Sequence, residues 1–217
     1  MSIKKLAAQV TVYCTGLFIL AIGIAFAINS DLGISPVNSV PFAVHLVSGI
    51  NMGTAVTVFF LLLIGLQAAL LRRDFKLRVL TQIIFSTIFG FFVDLAIFIV
   101  GDFTIPTYVG RLAMLAISTV LIAVGVAMYL EAKLISLPAE GIILAVIQKY
   151  PRYTFTRIKV IFDCVLVVIA VAITLVFLRG LYGTREGTVI SAILLGKAIY
   201  YARKVVVWGL RKVGFSV

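Results

Sequence analysis

The chain has 217 residues, 63% of them hydrophobic and only 12% charged, with a formal net charge of +11 and a mean hydropathy of +1.21. A soluble domain carries about 25% charged residues, and so little polar surface cannot cover a water-soluble fold of this size. The basic excess does not indicate nucleic acid, because it falls in short clusters between apolar stretches, where orientation of spans across a bilayer accounts for it.

In chain order, apolar runs occupy 6–28, 55–71, 79–100, 112–130, 160–178 and 188–207. Most approach the ~20 residues that a helix needs to cross ~30 Å of hydrocarbon. The first run follows Lys4 and Lys5, and Ala25-Phe26-Ala27 has the look of a cleavage site. The run is too long for a signal core and another span follows, so an uncleaved first helix is expected. Two further segments suit a full span poorly. Residues 34–50 contain Pro36, Asn38, Pro41, His45 and Gly49, and residues 134–148 contain Pro138 and Glu140. Both are predicted to be broken, re-entrant helices.

Charge favours that arrangement. With both segments re-entrant and the N-terminus inside, basic residues outside the spans divide 13 to 3 in favour of the inner side. With both crossing fully, the division falls to 9 to 7. The stronger inner bias is the one that membrane proteins display. The two awkward segments also resemble each other: Leu32-Gly-Ile-Ser-Pro-Val-Asn-Ser39 aligns with Leu134-Ile-Ser-Leu-Pro-Ala-Glu-Gly141, prolines in register. Later, Gln82-x3-Ser86-x3-Gly90 sits like Thr188-x3-Ala192-x3-Gly196. Each half reads as span, broken segment, span, span. Three crossings is an odd number, so the second copy is expected to be inverted, a recurring transporter plan. The expected fold is all-α and integral to the membrane: about six transmembrane helices plus two short broken ones, in two inverted repeats. One membrane domain covers 1–217, with repeats at about 6–100 and 109–207 and a basic interfacial segment at 203–217.

The chain resembles the YczE/YyaS/YitT family of bacterial multi-pass membrane proteins. The pieces that carry the likeness are Asp31-Leu-Gly-Ile-Ser-Pro36, Leu137-Pro-Ala-Glu-Gly141, Arg157-Ile-Lys-Val-Ile-Phe-Asp163 and Gly183-Thr-Arg-Glu-Gly-Thr-Val-Ile190 with Gly196. The resemblance implies a cell-membrane location and a transporter-like role. It fixes the class of protein better than its activity.

Ionisable groups inside spans are costly and raise functional hypotheses. Lys159 and Asp163 stand i, i+4 on one helix and can pair directly; a pair near the inner interface, with Lys159 snorkelling, is the plainer reading. Lys197 lies near the middle of its span and is expected to face the interior, with Asp163 or Glu140 as partner. Ser35-Pro36 and Leu137-Pro138 read as helix starts with proline in the first turn. Asn38, Glu140 and Gly141 then fall in the first turns of two half-helices, whose N-termini attract anions or are simply capped. Gln82 and Thr188 occupy equivalent repeat positions and offer neutral hydrogen bonds. Asp94 is read as reaching solvent. The small-residue spacings Ser86/Gly90 and Ala192/Gly196 are read as helix packing. Arg185 and Glu186 lie in an outer turn as a gate, and Arg203, Lys204, Trp208, Arg211 and Lys212 suit an inner-leaflet surface.

The leading functional expectation is a small secondary transporter or exporter of a polar or anionic molecule or amphiphile, working by alternating access. Its expected partners are the lipid bilayer and a small-molecule substrate, with a two-fold homodimer compatible but not specified. Its expected place is the bacterial cytoplasmic membrane, with both termini cytoplasmic. The alternative is a non-transporting accessory or scaffold for a biosynthetic or secretion complex. An enzyme is not expected, since His45 is the only histidine and no nucleophile–base set is evident. No cofactor or metal site is expected, and Cys14 and Cys164 are isolated.

Overall fold

The computed structural model describes residues 3–212, all helix and connecting turns with no strand. Both termini and the last residues of the expected basic segment, 213–217, lie outside the described part. Eight α-helices follow in order: α1 (Ile3–Ser30), α2 (Pro36–Ser48), α3 (Met52–Leu71), α4 (Thr81–Val100), α5 (Tyr108–Glu131), α6 (Pro138–Lys149), α7 (Phe155–Leu178) and α8 (Glu186–Lys212). The lengths run long, short, long, long, and then repeat. Backbone conformation repeats as well. The non-glycine residues with positive φ among the described residues are Asp31 (52°), Arg72 (47°), Lys133 (51°) and Arg179 (54°). Asp31 and Lys133 each stand five residues before the proline that opens the next helix, and Arg72 and Arg179 each follow the last residue of a long helix. Such conformations are uncommon outside glycine.

Five helical stretches are long and apolar enough to cross a membrane: Lys5–Ser30, Met52–Asp74, Leu77–Val100, Tyr108–Glu131 and Phe155–Leu178. The sixth expected span is not among them. Helix α8 has 27 residues, but Lys197, Arg203 and Lys204 fall within the stretch expected to cross. Large apolar side chains point outward from the spans, with Phe98 83%, Val109 77% and Val176 71% exposed. Surface of that kind belongs against lipid rather than water, and the chain is an all-α membrane protein.

The helices form two compact units. The first takes α1, α5, α8 and the end of α4 from Leu95. Here α1 and α5 run antiparallel. At one end the Gln9 amide donates to the Ala132 carbonyl (3.0 Å); at the other Arg111 pairs with Asp31 (3.0 Å). The helices approach until backbones touch: a Cβ on Gly125 would lie 2.6 Å from the Gly16 carbonyl oxygen. The Ser118 hydroxyl donates to the Gly23 carbonyl at 2.7 Å, and Tyr13 meets Tyr129 edge-to-face at 5.7 Å. Between helices in lipid, such small-residue contacts replace the hydrophobic drive that lipid removes. Helix α8 starts where the Gly187 N–H donates to the Leu32 carbonyl (2.8 Å).

The second unit takes α2, α3, α4 as far as Asp94, α6 and α7. Helices α3 and α4 form an antiparallel hairpin, with Phe60 and Phe89 stacked at 5.9 Å. Gly90 does pack closely, against Gly53: a Cβ on Gly53 would stand 1.9 Å from the Gly90 oxygen. Gly196, by contrast, has nothing within 4 Å, so no packing role for it is seen within the chain. Asp94 differs too. Instead of reaching into solvent, its Oδ1 accepts the Gly53 N–H at 2.6 Å and satisfies the start of α3.

This hairpin generates a paired expectation. Gly53→Ala drives a methyl into the Gly90 carbonyl and should destabilise the protein by about 1–3 kcal/mol. Gly65→Ala, on the same helix with open space around it, should be neutral or stabilising by up to ~1 kcal/mol. Thermal unfolding in detergent checks both; equal shifts would remove the close contact as the cause.

Candidate functional site

The two segments expected to be broken are short helices, α2 and α6, each starting at its proline. Proline suits the first helical position because its missing N–H has no intrahelical partner there. Neither helix start carries a side-chain cap. Both short helices pack against both α3 and α7. Their directions differ. Helix α2 ends with Gly49 in the left-handed conformation (φ 73°) and passes through a short turn into the start of α3. His45 closes this turn, with Nδ1 2.6 Å from the Ile50 carbonyl oxygen. Helix α6 ends at the other end of α3, where the Lys149 ammonium donates to the Leu70 carbonyl at 3.1 Å. The two broken helices therefore have their C-termini at opposite ends of this unit.

The start of α6 is the most elaborated polar spot in the second unit. A glutamine from α3 and one from α4 converge on it. Gln82 Nε2 donates to the Ser136 carbonyl at 3.0 Å. Gln67 Nε2 lies 3.1 Å from Gln82 Oε1 and 3.4 Å from the Pro138 carbonyl. Both glutamines are buried, at 2% and 3% exposure. Gly141 lets them in: a Cβ there would lie 2.6 Å from Gln67 Oε1 and 2.7 Å from Gln82 Nε2. An open cavity of about 210 Å³ adjoins this cluster, lined by Gln67, Gln82, Ser136 and Gly141 and by exposed Lys76 and Arg78. Clefts for drug-sized ligands reach ~300–1,000 Å³, so this one suits a small solute.

At the start of α2, Asn38 is buried and its amide donates to the Ser35 hydroxyl (2.9 Å). Ser39 Oγ donates to the Pro36 carbonyl at 2.6 Å and lies 3.4 Å from the Leu166 carbonyl of α7. Glu140 lies in the first turn of α6, where a carboxylate complements the helix dipole. On α7, Lys159 and Asp163 form the expected i, i+4 pair, with Nζ 2.6 and 2.8 Å from the two carboxylate oxygens. The second unit thus holds Ser35, Pro36, Asn38, Gln82, Pro138, Glu140, Gly141, Lys159, Asp163 and Arg185, while Thr188, Glu186 and Lys197 belong to the first.

Lys197 departs from expectation. Its side chain is exposed, on the rim of a groove between α5 and α8 lined mainly by apolar residues. Asp163, one expected partner, is already held by Lys159. Thr188 is buried beside Gly187 at the start of α8, and Arg185 and Glu186 are exposed.

Two polar residues escaped the sequence reading. Gln67 was hidden as a single neutral residue in the long apolar run 55–71. Glu131 falls just past the end of the run 112–130 and reads as loop. It is in fact buried, 4% exposed, and paired with Arg203 of α8.

The chain belongs to a family of unknown function (DUF6198), whose match covers residues 7–204. It is 27% identical over 147 residues to the "Uncharacterized membrane protein YczE" of Bacillus subtilis, covering 67% of this chain and 66% of that protein. It is 29% identical over 135 residues to "Uncharacterized protein YyaS" of the same species, covering 62% of this chain and 66% of that one. The match therefore spans just under two thirds of the length of these curated relatives. No solved structure matches the chain.

The glutamine bridge has a measurable coupling. In a double-mutant cycle, Gln67→Leu and Gln82→Leu should couple by about 0.6–1.7 kcal/mol, the range for hydrogen bonds between membrane helices. Chemical unfolding in mixed micelles reads the cycle. Strict additivity would mean that the two amides act independently on the carbonyls of the broken segment.

Proposed function

We propose that this protein is a small secondary transporter of a polar or anionic solute, working by alternating access between two inverted halves, and not an enzyme. The observation that carries the reading is the seating of α2 and α6 on the same two long helices, α3 and α7, with their C-termini at opposite ends. An exchange of α2 with α6 and of α3 with α7 maps this packing onto itself, as inverted repeats require. The paired positive-φ residues support the same exchange. On this reading α8 is the sixth span, and both termini face the cytoplasm of a bacterial cell.

The solute class follows from the cavity at α6. Neutral amides line its floor and Lys76 and Arg78 its rim, so an anion is attracted without being trapped by a buried opposite charge. The start of α6 adds partial positive charge from its N–H groups, offset in part by Glu140 in the same turn. Pro36 and Pro138 fix where the two half-helices begin, and Gly141 keeps the α6 start accessible to the glutamines.

Thiol labelling from each side of the membrane tests the proposal, on a background lacking Cys14 and Cys164, both free thiols. Lys76→Cys and Lys133→Cys should react only from inside, and Asp102→Cys only from outside. Gln67→Cys should react from both sides, more slowly, because alternating access opens the cavity to each in turn. Labelling of Gln67→Cys from one side alone would sink alternating access and favour the accessory reading. Reversed labelling at Lys76 and Lys133 would sink the inverted topology itself.

A further inference from the structure

The first unit has a polar site of its own, where the end of α5 meets the last third of α8. Four basic residues, Lys133, Arg203, Lys204 and Arg211, line an open cavity of about 590 Å³ together with Glu131 and Tyr200. The one acid is committed: Glu131 is buried and bonded to the Nε of Arg203. That bond uses one edge of the guanidinium, which leaves its terminal N–H groups as donors. It also fixes the Arg203 stem. Lys204 is held from the other direction, its ammonium 4.4 Å from the Tyr200 ring centre and 5.8 Å from that of Tyr201, a favourable cation–aromatic arrangement. Lys133 is kept at the corner by its left-handed backbone (φ 51°) just after α5. The cavity lining carries a formal excess of positive charge even after Glu131 is counted.

Depth decides what such a cavity meets. Glu131 is the last residue of the candidate span Tyr108–Glu131, so the cavity lies where hydrocarbon gives way to headgroups. Along the same α5–α8 seam, toward the start of both helices, runs a mainly apolar groove of about 340 Å³ lined by Leu112, Leu115, Ile190 and Leu194, with Thr119 and Lys197 as its polar members. A phosphate ester with acyl chains fits this order: charged donors at the headgroup level, apolar walls beyond.

We infer that the α5–α8 cavity is a binding site for a phosphate ester, with Lys133, Arg203, Lys204 and Arg211 as the phosphate donors. The lipid form is the headgroup of an anionic phospholipid; a soluble phosphomonoester shares the chemistry. This site does not depend on transport at the glutamine cluster and stands or falls separately.

Native mass spectrometry of the purified full chain, released from micelles containing phosphatidylglycerol or phosphatidylcholine, tests it. The protein should retain one phosphatidylglycerol and exchange phosphatidylcholine freely. The variant Lys204→Gln/Arg211→Gln spares the Glu131–Arg203 pair, so folding is preserved. It should bind phosphatidylglycerol about twenty-five-fold more weakly, at about fivefold per cation removed. Arg73→Gln/Arg152→Gln, equal in charge change but outside the cavity, should bind normally. Glycerol 3-phosphate added at millimolar concentration distinguishes the sources: no displacement assigns the site to lipid, and full displacement assigns it to a soluble ester. Equal retention of the two lipids with no effect of glycerol 3-phosphate, or equal weakening in both double variants, would overturn the inference.

Discussion

Breaking a helix inside a membrane protein frees backbone groups that lipid cannot satisfy, and each unsatisfied group costs several kcal/mol in hydrocarbon. The second unit is organised around that demand. Just before α6 the Ser136 carbonyl, which lies outside the helix, receives the amide of Gln82, and the Pro138 carbonyl in the first turn takes a longer contact from Gln67. In the first turn of α2 the Ser39 hydroxyl satisfies itself on the Pro36 carbonyl of its own helix. A glutamine is well suited to the first task, since it is neutral and offers both donor and acceptor. The bridge between the two glutamines uses the spare acceptor of one and the spare donor of the other. Gly141 is then required by geometry, because any side chain there would displace one amide or the other. Irregular backbone is tolerated in a membrane protein where it is covered by protein or lines a cavity, and the segment before α6 has both.

Close helix approach is the complementary device. Where polar groups satisfy the breaks, glycines bring the intact spans together: Gly16 and Gly125 between α1 and α5, Gly53 and Gly90 between α3 and α4. Both contacts put a helix backbone against a helix backbone, which fixes the register of each pair more sharply than leucines would. Asp94 adds a charge-assisted bond to the second contact. The hairpin that presents Gln67 and Gln82 is therefore held by contacts at its far end as well as by stacking at Phe60 and Phe89.

The composition and the apolar runs already placed the long helices, because a span must be apolar along its whole length. Pro36 and Pro138 marked the breaks for an equally direct reason, since proline suits the first helical position, although Pro41 is carried inside α2. What the sequence hid was partnership. Gln67 is one polar residue in an apolar run, and nothing local says that it reaches another helix. Glu131 sits one position beyond an apolar run, where burial and exposure look alike from the sequence. Lys197 misled in the opposite sense: its mid-run position suggests an inward partner, but the side of α8 that it occupies is set by packing at Gly187, Thr188 and Ser191. Those three small residues are what α8 buries, and they leave Lys197 on the open side.

The distribution of charge then separates two kinds of chemistry. Around α6 the second unit sets two buried neutral amides beside Glu140 of the first turn, and the Lys159–Asp163 ion pair closes within a single helix. A closed pair of that kind needs no partner from elsewhere, and neither of its residues lines the cavity beside α6. The first unit does the reverse at the end of α5, where Glu131 immobilises one arginine and Lys133, Lys204 and Arg211 line the same cavity. Neutral donors and acceptors permit a solute to bind and leave, whereas clustered cations at headgroup depth favour retention of a phosphate. On the proposed reading, retentive chemistry on α5 and α8 and neutral chemistry on α3, α4 and α6 would let one small chain hold lipid firmly without holding a solute too tightly.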